Sequence, residues 1–182
     1  MRAFLGFDCP DSLHEQLEKA VKPLKSIDGF KPVKPVNYHI TVKFLGEISQ
    51  DLRSRIDVGM QKGLPTVGPL HVELNGAGVF PDPGNASVAL AGVDHPPGLI
   101  ELQNEVEDIT TNLGIEPENR EYHPHVTLGR FKSSAEARTV REWIQSASGQ
   151  LTGEWTVDEL VLFESELGAD GPTHTRHERW PL

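Results

Sequence analysis

The chain has 182 residues, 37% of them hydrophobic, enough to bury the core of one domain or of two small fused lobes. With 17 Lys and Arg against 27 Asp and Glu its formal net charge is −10, which excludes a protein that tracks a long nucleic-acid backbone by releasing counterions but leaves room for a local pocket built from a few placed donors. The single cysteine, Cys9, rules out an internal disulfide and a multi-cysteine metal site; no apolar run approaches the roughly 18 residues of a membrane span, and a cytoplasmic, unexported monomer is expected.

In chain order, residues 2–8 read as a strand, after which Asp11 or Ser12 is expected to cap a helix carrying Leu13, Leu17, Val21 and Leu24 at helical spacing. Cys9, at the end of that apolar run, reads as a half-buried structural thiol. A Lys/Pro-rich passage over 31–35 precedes a strand around 38–45 closed by Gly46, and a helix follows over about 50–62. Strands near 70–79 and 86–93 flank the turn-forming run Pro81-Asp82-Pro83-Gly84-Asn85 and suggest a hairpin. A helix over about 97–113 places Leu99, Leu102, Val106 and Ile109 on one face and stops at Gly114. The last third repeats the layout: a strand over 125–131, a helix over 134–146 capped by Ser134 with Val140, Trp143 and Ile144 inward, a strand over 157–163 and a terminal strand over 174–180.

This order, with hairpins as well as crossovers, predicts an α+β fold. We expect two pseudo-symmetric lobes, each a mainly antiparallel sheet with helices on its outer face, forming a central cleft within one domain over residues 1–182.

The chemistry-bearing residues lie in two strands. In His39-Ile40-Thr41-Val42-Lys43 the two-residue strand period sends His39, Thr41 and Lys43 to one face and Ile40 and Val42 to the other. In His125-Val126-Thr127-Leu128-Gly129 it pairs His125 with Thr127 in the same way. Two imidazoles with ordinary pKa values of about 6.5 can divide acid and base roles in an in-line displacement at phosphorus. Two hydroxyls can donate to the nonbridging oxygens as charge builds there. Lys43 could offset phosphate charge. Strict alternation points Arg130 away from His125, although Gly129 could allow a bulge that returns it; Phe44 could stack on a base at the end of the first motif, although alternation favours an inward core role for it. A metal reading of His123-Pro124-His125 near Glu121 is weak, since the first motif has no second histidine and threonine is a poor ligand. His14, His71, His95 and His177 carry no motif.

HITVKFLG and HVTLGR, with the opening RAFLGFDCP, the GVFP at 78–81, and an ending of LVLFES, GPTH and RWPL, resemble the two-histidine phosphoesterases. More narrowly, the chain is similar to the RNA 2′,3′-cyclic phosphodiesterases, also called 2′-5′ RNA ligase-like proteins. The resemblance implies that His39 donates a proton to the leaving oxygen, that His125 accepts one from water, and that Thr41 and Thr127 hold the phosphate. It implies a 2′-phosphomonoester product from an RNA end or nucleotide carrying a 2′,3′-cyclic phosphate, with no metal and no cofactor. Relatives tend to carry tyrosine where this chain has His174. Two alternatives are a noncatalytic RNA-end-binding module and a 2′-5′ RNA ligase running the reaction backwards.

Overall fold

The apolar alternation of the strand segments and the helical spacing between them are realised in a computed structural model that describes residues 1–94, 96–133, 135–169 and 171–182. The elements are β1 (Arg2–Asp8), α1 (Asp11–Val21), β2 (Phe30–Pro32), β3 (His39–Glu47), α2 (Gln50–Gly63), β4 (Leu70–Phe80), β5 (Val88–Val93), α3 (Pro97–Asn112), β6 (His125–Phe131), α4 (Ala137–Ser148), β7 (Glu154–Val157), β8 (Glu159–Gly168) and β9 (Gly171–Pro181). The strands follow the order β7-β4-β5-β6-β3-β1-β8-β9, with β2 beside β6, and their pairings are antiparallel. The fold is therefore α+β, as expected.

The two motif strands, β3 and β6, meet at the middle of the sheet through one register pair, Ile40 with Val126. Only Asp158 separates β7 from β8, although these strands lie far apart in the sheet order, so the sheet must curl to bring the two regions together. Helix α1 packs on β6 and α4 on β4, and the two helices are tied by the Trp143 indole N–H donating to the Ala20 carbonyl at 2.9 Å. Helices α2 and α3 pack on each other, α3 also on β3 and α2 on β9. The inward residues of all four helices and one alternate set of strand residues make a continuous core. Phe4, Val161 and Phe163 form a separate cluster on the opposite face of the sheet.

Several local expectations change. Helix α1 takes Pro10 as its N-cap with no side-chain cap; Asp11 instead sits in the first turn, where its carboxylate suits the helix dipole. Leu24 belongs to a 3-10 turn over Lys22–Ser26. The Lys/Pro-rich passage contains β2, which pairs with β6, and β3 continues through Gly46 to Glu47. The strand expected over 157–163 is two strands, and α4 begins at Ala137; the capping role given to Ser134 lies outside the described residues, as does His95. Cys9 is buried, and burial pushes its thiol up to about 12, which suits a structural residue.

Candidate active site

The face of the sheet turned away from the helices carries both motifs. His39 pairs in register with Asp8, Thr41 with Gly6 and Phe44 with Phe4 on β1. On β6, His125 pairs with Gly92, Thr127 with Leu90 and Arg130 with Val88 on β5. Ile40 and Val126 are fully buried on the other side, so each motif is anchored by its apolar residues.

Both motifs contain a β-bulge at the same place. Successive β1 residues Leu5 and Gly6 oppose Lys43 and Thr41, leaving Val42 as the extra residue; successive β5 residues Ala89 and Leu90 oppose Gly129 and Thr127, leaving Leu128 extra. A bulge reverses the phase of alternation beyond it. Val42 and Lys43 therefore both turn toward the helices, as do Leu128 and Gly129, while Phe44 and Arg130 return to the site face.

This corrects two expectations and decides a third. Lys43 does not share the His39 face: it is 4% exposed and its ammonium donates to Glu107 Oε1 at 2.6 Å and to the Glu116 carbonyl at 2.8 Å. Phe44 is not a core residue; it is 58% exposed, with its ring 6.1 Å from that of Phe4. Arg130 is exposed and its charge bears on His125, as the bulge at Gly129 would have it. Gly129 is required because a Cβ there would collide with the Phe30 ring.

The two histidines are held alike. His39 Nδ1 lies 2.6 Å from the Asn37 carbonyl and His125 Nδ1 lies 2.7 Å from the His123 carbonyl. A carbonyl only accepts, so both Nδ1 atoms carry the proton and each neutral ring keeps its lone pair on Nε2. The surroundings differ. His39 stacks on Phe4 with ring centroids 4.5 Å apart and meets the edge of His174 at 5.0 Å, whereas His125 meets Phe80 edge-on at 5.0 Å.

Burial pushes the His39 pKa down to about 4, with the Asn37 carbonyl opposing and His174 and His125 adding to the shift. Burial also lowers that of His125, aided by Arg130 and His123 and opposed by the His123 carbonyl. Both rings are therefore neutral near pH 7 when no anion is bound. The hydroxyls of Thr41 and Thr127 make no hydrogen bond among the described residues. No group of three or more His, Cys, Asp or Glu among the described residues is gathered so as to hold a metal, and no helix there is long and apolar enough to cross a membrane.

Sequence reasoning missed Tyr122, a half-buried residue whose hydroxyl donates to the Thr41 carbonyl at 3.0 Å and so ties the segment entering the second motif to the strand of the first. It gave no role to Phe4 and Phe80, although Phe4 stands in the RAFLGFDCP segment and Phe80 in GVFP. His174 lies on the site face beside His39, with burial lowering its pKa, Arg176 adding to that and Asp8 opposing.

Residues 10–169 match the family described as the 2′-5′ RNA ligase superfamily. An RNA 2′,3′-cyclic phosphodiesterase of Methanothermobacter thermautotrophicus is 34% identical over all of this chain and 99% of its own length. The Escherichia coli protein of the same name is 26% identical over all of this chain and 96% of its own length. Among solved structures, a Thermus thermophilus protein superposes with a TM-score of 0.81 at 26% identity, covering 100% of this chain and 98% of its own. Escherichia coli LigT complexed with 3′-AMP superposes at 0.78 and 24% identity, over 100% and 97% of the two chains, and supports the fold.

Proposed function

This chain belongs to the 2′-5′ RNA ligase superfamily, and from that membership we propose that it is a hydrolase of RNA 2′,3′-cyclic phosphate ends whose proton-transferring groups are His39 and His125. The observation that carries the reading is the matched presentation of the two rings: each is fixed through Nδ1 by the carbonyl two residues before it, so that Nε2 is left for proton transfer.

The cyclic phosphate lies between the motifs. His125 Nε2 takes a proton from the attacking water, and the water oxygen forms a new bond to phosphorus as the bond to O3′ breaks. His39, protonated in the bound complex, gives its proton to the departing O3′, leaving a 2′-phosphomonoester. Thr41 and Thr127, whose hydroxyls have no protein partner among the described residues, donate to the nonbridging oxygens, where charge grows in the transition state. Arg130 adds a cation beside the phosphate, and Phe44 offers an exposed ring to a base. Residues 1–182 work as one two-lobed domain, since each half supplies one histidine and one threonine. A monomer in a reducing cytoplasm fits a chain whose only cysteine is buried.

The test is hydrolysis of a nucleoside 2′,3′-cyclic phosphate in the presence of chelator, with the product resolved as 2′- or 3′-phosphate. His39→Ala and His125→Ala should each lower turnover by about 10²–10⁴-fold, the usual worth of a general acid or base. Full turnover in either variant would remove that residue from the mechanism, and loss of activity on chelation would remove its metal independence.

A further inference from the structure

The bulge that returns Arg130 to the site face also sets what lies beyond it. Phe131 turns to the core, where its ring meets that of Phe30 at 4.9 Å, so Arg130 before it points to the opposite face, and Lys132 follows in the bend just past the end of β6. Lys31 on β2 is the register partner of Arg130 and shares that face. All three side chains are exposed. They cluster at and just past the C-terminal end of β6, beyond Thr127 and away from the two histidines.

Among the described residues these cations are left without acidic partners. Arg53, Arg120, Arg138, Arg176 and Arg179 pair with Glu178, Glu118, Glu142, Asp8 and Glu159. Lys31, Arg130 and Lys132 make no ion pair among the described residues. The nearby ammonium of Lys31 holds that of Lys132 below the ordinary lysine range. In a chain of net charge −10, a cluster of like-charged cations is unfavourable by itself and complementary to a polyanion.

We propose that Lys31, Arg130 and Lys132 form a phosphate track for the single-stranded RNA that adjoins the cyclic end, so that the preferred substrate is an oligonucleotide and not a cyclic mononucleotide. The proposal rests on the hydrolase reading and names its substrate class. Because the track spans three cations beside the site, it engages only the nearest phosphates, which reconciles RNA binding with an acidic protein.

The experiment compares kcat/KM on a cyclic mononucleotide and on a short RNA with a 2′,3′-cyclic end, for the unaltered protein and for the Lys31→Ala/Lys132→Ala double variant. The expected result is a loss of about tenfold on the oligonucleotide, from two exposed ion contacts, with the mononucleotide rate held. An oligonucleotide rate that stays unchanged, or an equal loss on both substrates, overturns the track. A second measurement follows binding of the same RNA ending in a 2′-phosphate by fluorescence anisotropy across salt concentrations. Each phosphate contact to a single strand adds about 0.7 to the slope of log affinity against log salt, so the double variant should flatten that slope by about 1.4. Weakened, salt-flattened binding in the variant, with no hydrolysis by the unaltered protein, would uphold the track and sink the hydrolase reading. Unchanged affinity would overturn the track whatever the turnover.

Discussion

If His39 is the general acid, its proton must arrive with the substrate. In the free site burial holds its pKa at about 4, so at pH 7 only about one molecule in a thousand carries the imidazolium. Raising that pKa to about 7 requires roughly 4 kcal/mol of added preference for the charged ring, at 1.36 kcal/mol per unit. One phosphate charge at about 4 Å and an effective dielectric constant near 20 supplies about 4 kcal/mol, so a single bound anion is enough. The perturbation is therefore inorganic phosphate, and the assay is an NMR titration of the imidazole Cε1–H signals, assigned with His39→Gln. Without phosphate, His39 should titrate near pH 4; with saturating phosphate, its midpoint should rise by about three pH units. The same coupling should place the pH window of kcat, which reports the bound complex, above that of kcat/KM, which reports the free protein. A midpoint near 6.5 in the free protein, or one that phosphate leaves in place, would refute the substrate-delivered proton.

Three further outcomes follow from the packing. Lys43→Met leaves the partly buried Glu107 carboxylate without its ammonium and should destabilise the fold by about 3 kcal/mol, lowering Tm by roughly 6–12 °C for a chain of this size; Lys43→Met/Glu107→Leu should recover most of that, whereas a solvated lysine would cost nothing in calorimetry. Gly129→Ala forces a Cβ into the Phe30 ring and should cost about 1–3 kcal/mol in urea denaturation, with Phe30→Leu relieving the clash. Tyr122→Phe removes the hydrogen bond to the Thr41 carbonyl; stability should fall by about 1 kcal/mol and kcat should fall with KM held, while unchanged kcat would deny Tyr122 any part in positioning the motifs.

Much of the fold was legible where one period dominates. β1 and β6 occupy the expected residues, and α2 and α3 differ from expectation by one residue at their C-terminal ends, because their apolar positions follow a single strand or helix spacing throughout. The bulges were harder to read. In the second motif strict alternation would bury Arg130 and expose Phe131; one extra residue repairs both, so the slip leaves a trace in the sequence. In the first motif strict alternation puts Phe44 in the core and Lys43 outside, which looks satisfactory. It fails because the partner that makes Lys43 tolerable inside, Glu107, comes from α3, and local pattern holds no information about that contact. β2 was lost for a related reason: its three residues include a proline, and their pairing with β6 is fixed by a strand remote in sequence.

The bulge also changes what the repeated motif encodes. His-x-Thr alone gives each half the same two groups, but the phase slip adds a third residue to the site face, an aromatic ring at Phe44 in one half and a guanidinium at Arg130 in the other. The equivalence of the halves ends there. His39 lies between Phe4 and His174, supplied by β1 and β9, while His125 lies by Phe80 and within the influence of Arg130. Environment sets which of two chemically identical imidazoles holds a proton at a given stage. The acid and base roles are therefore distinguished by the strands packed around the motifs, and exchanging the two motif sequences while leaving β1, β4 and β9 intact should leave the more depressed histidine in the first half.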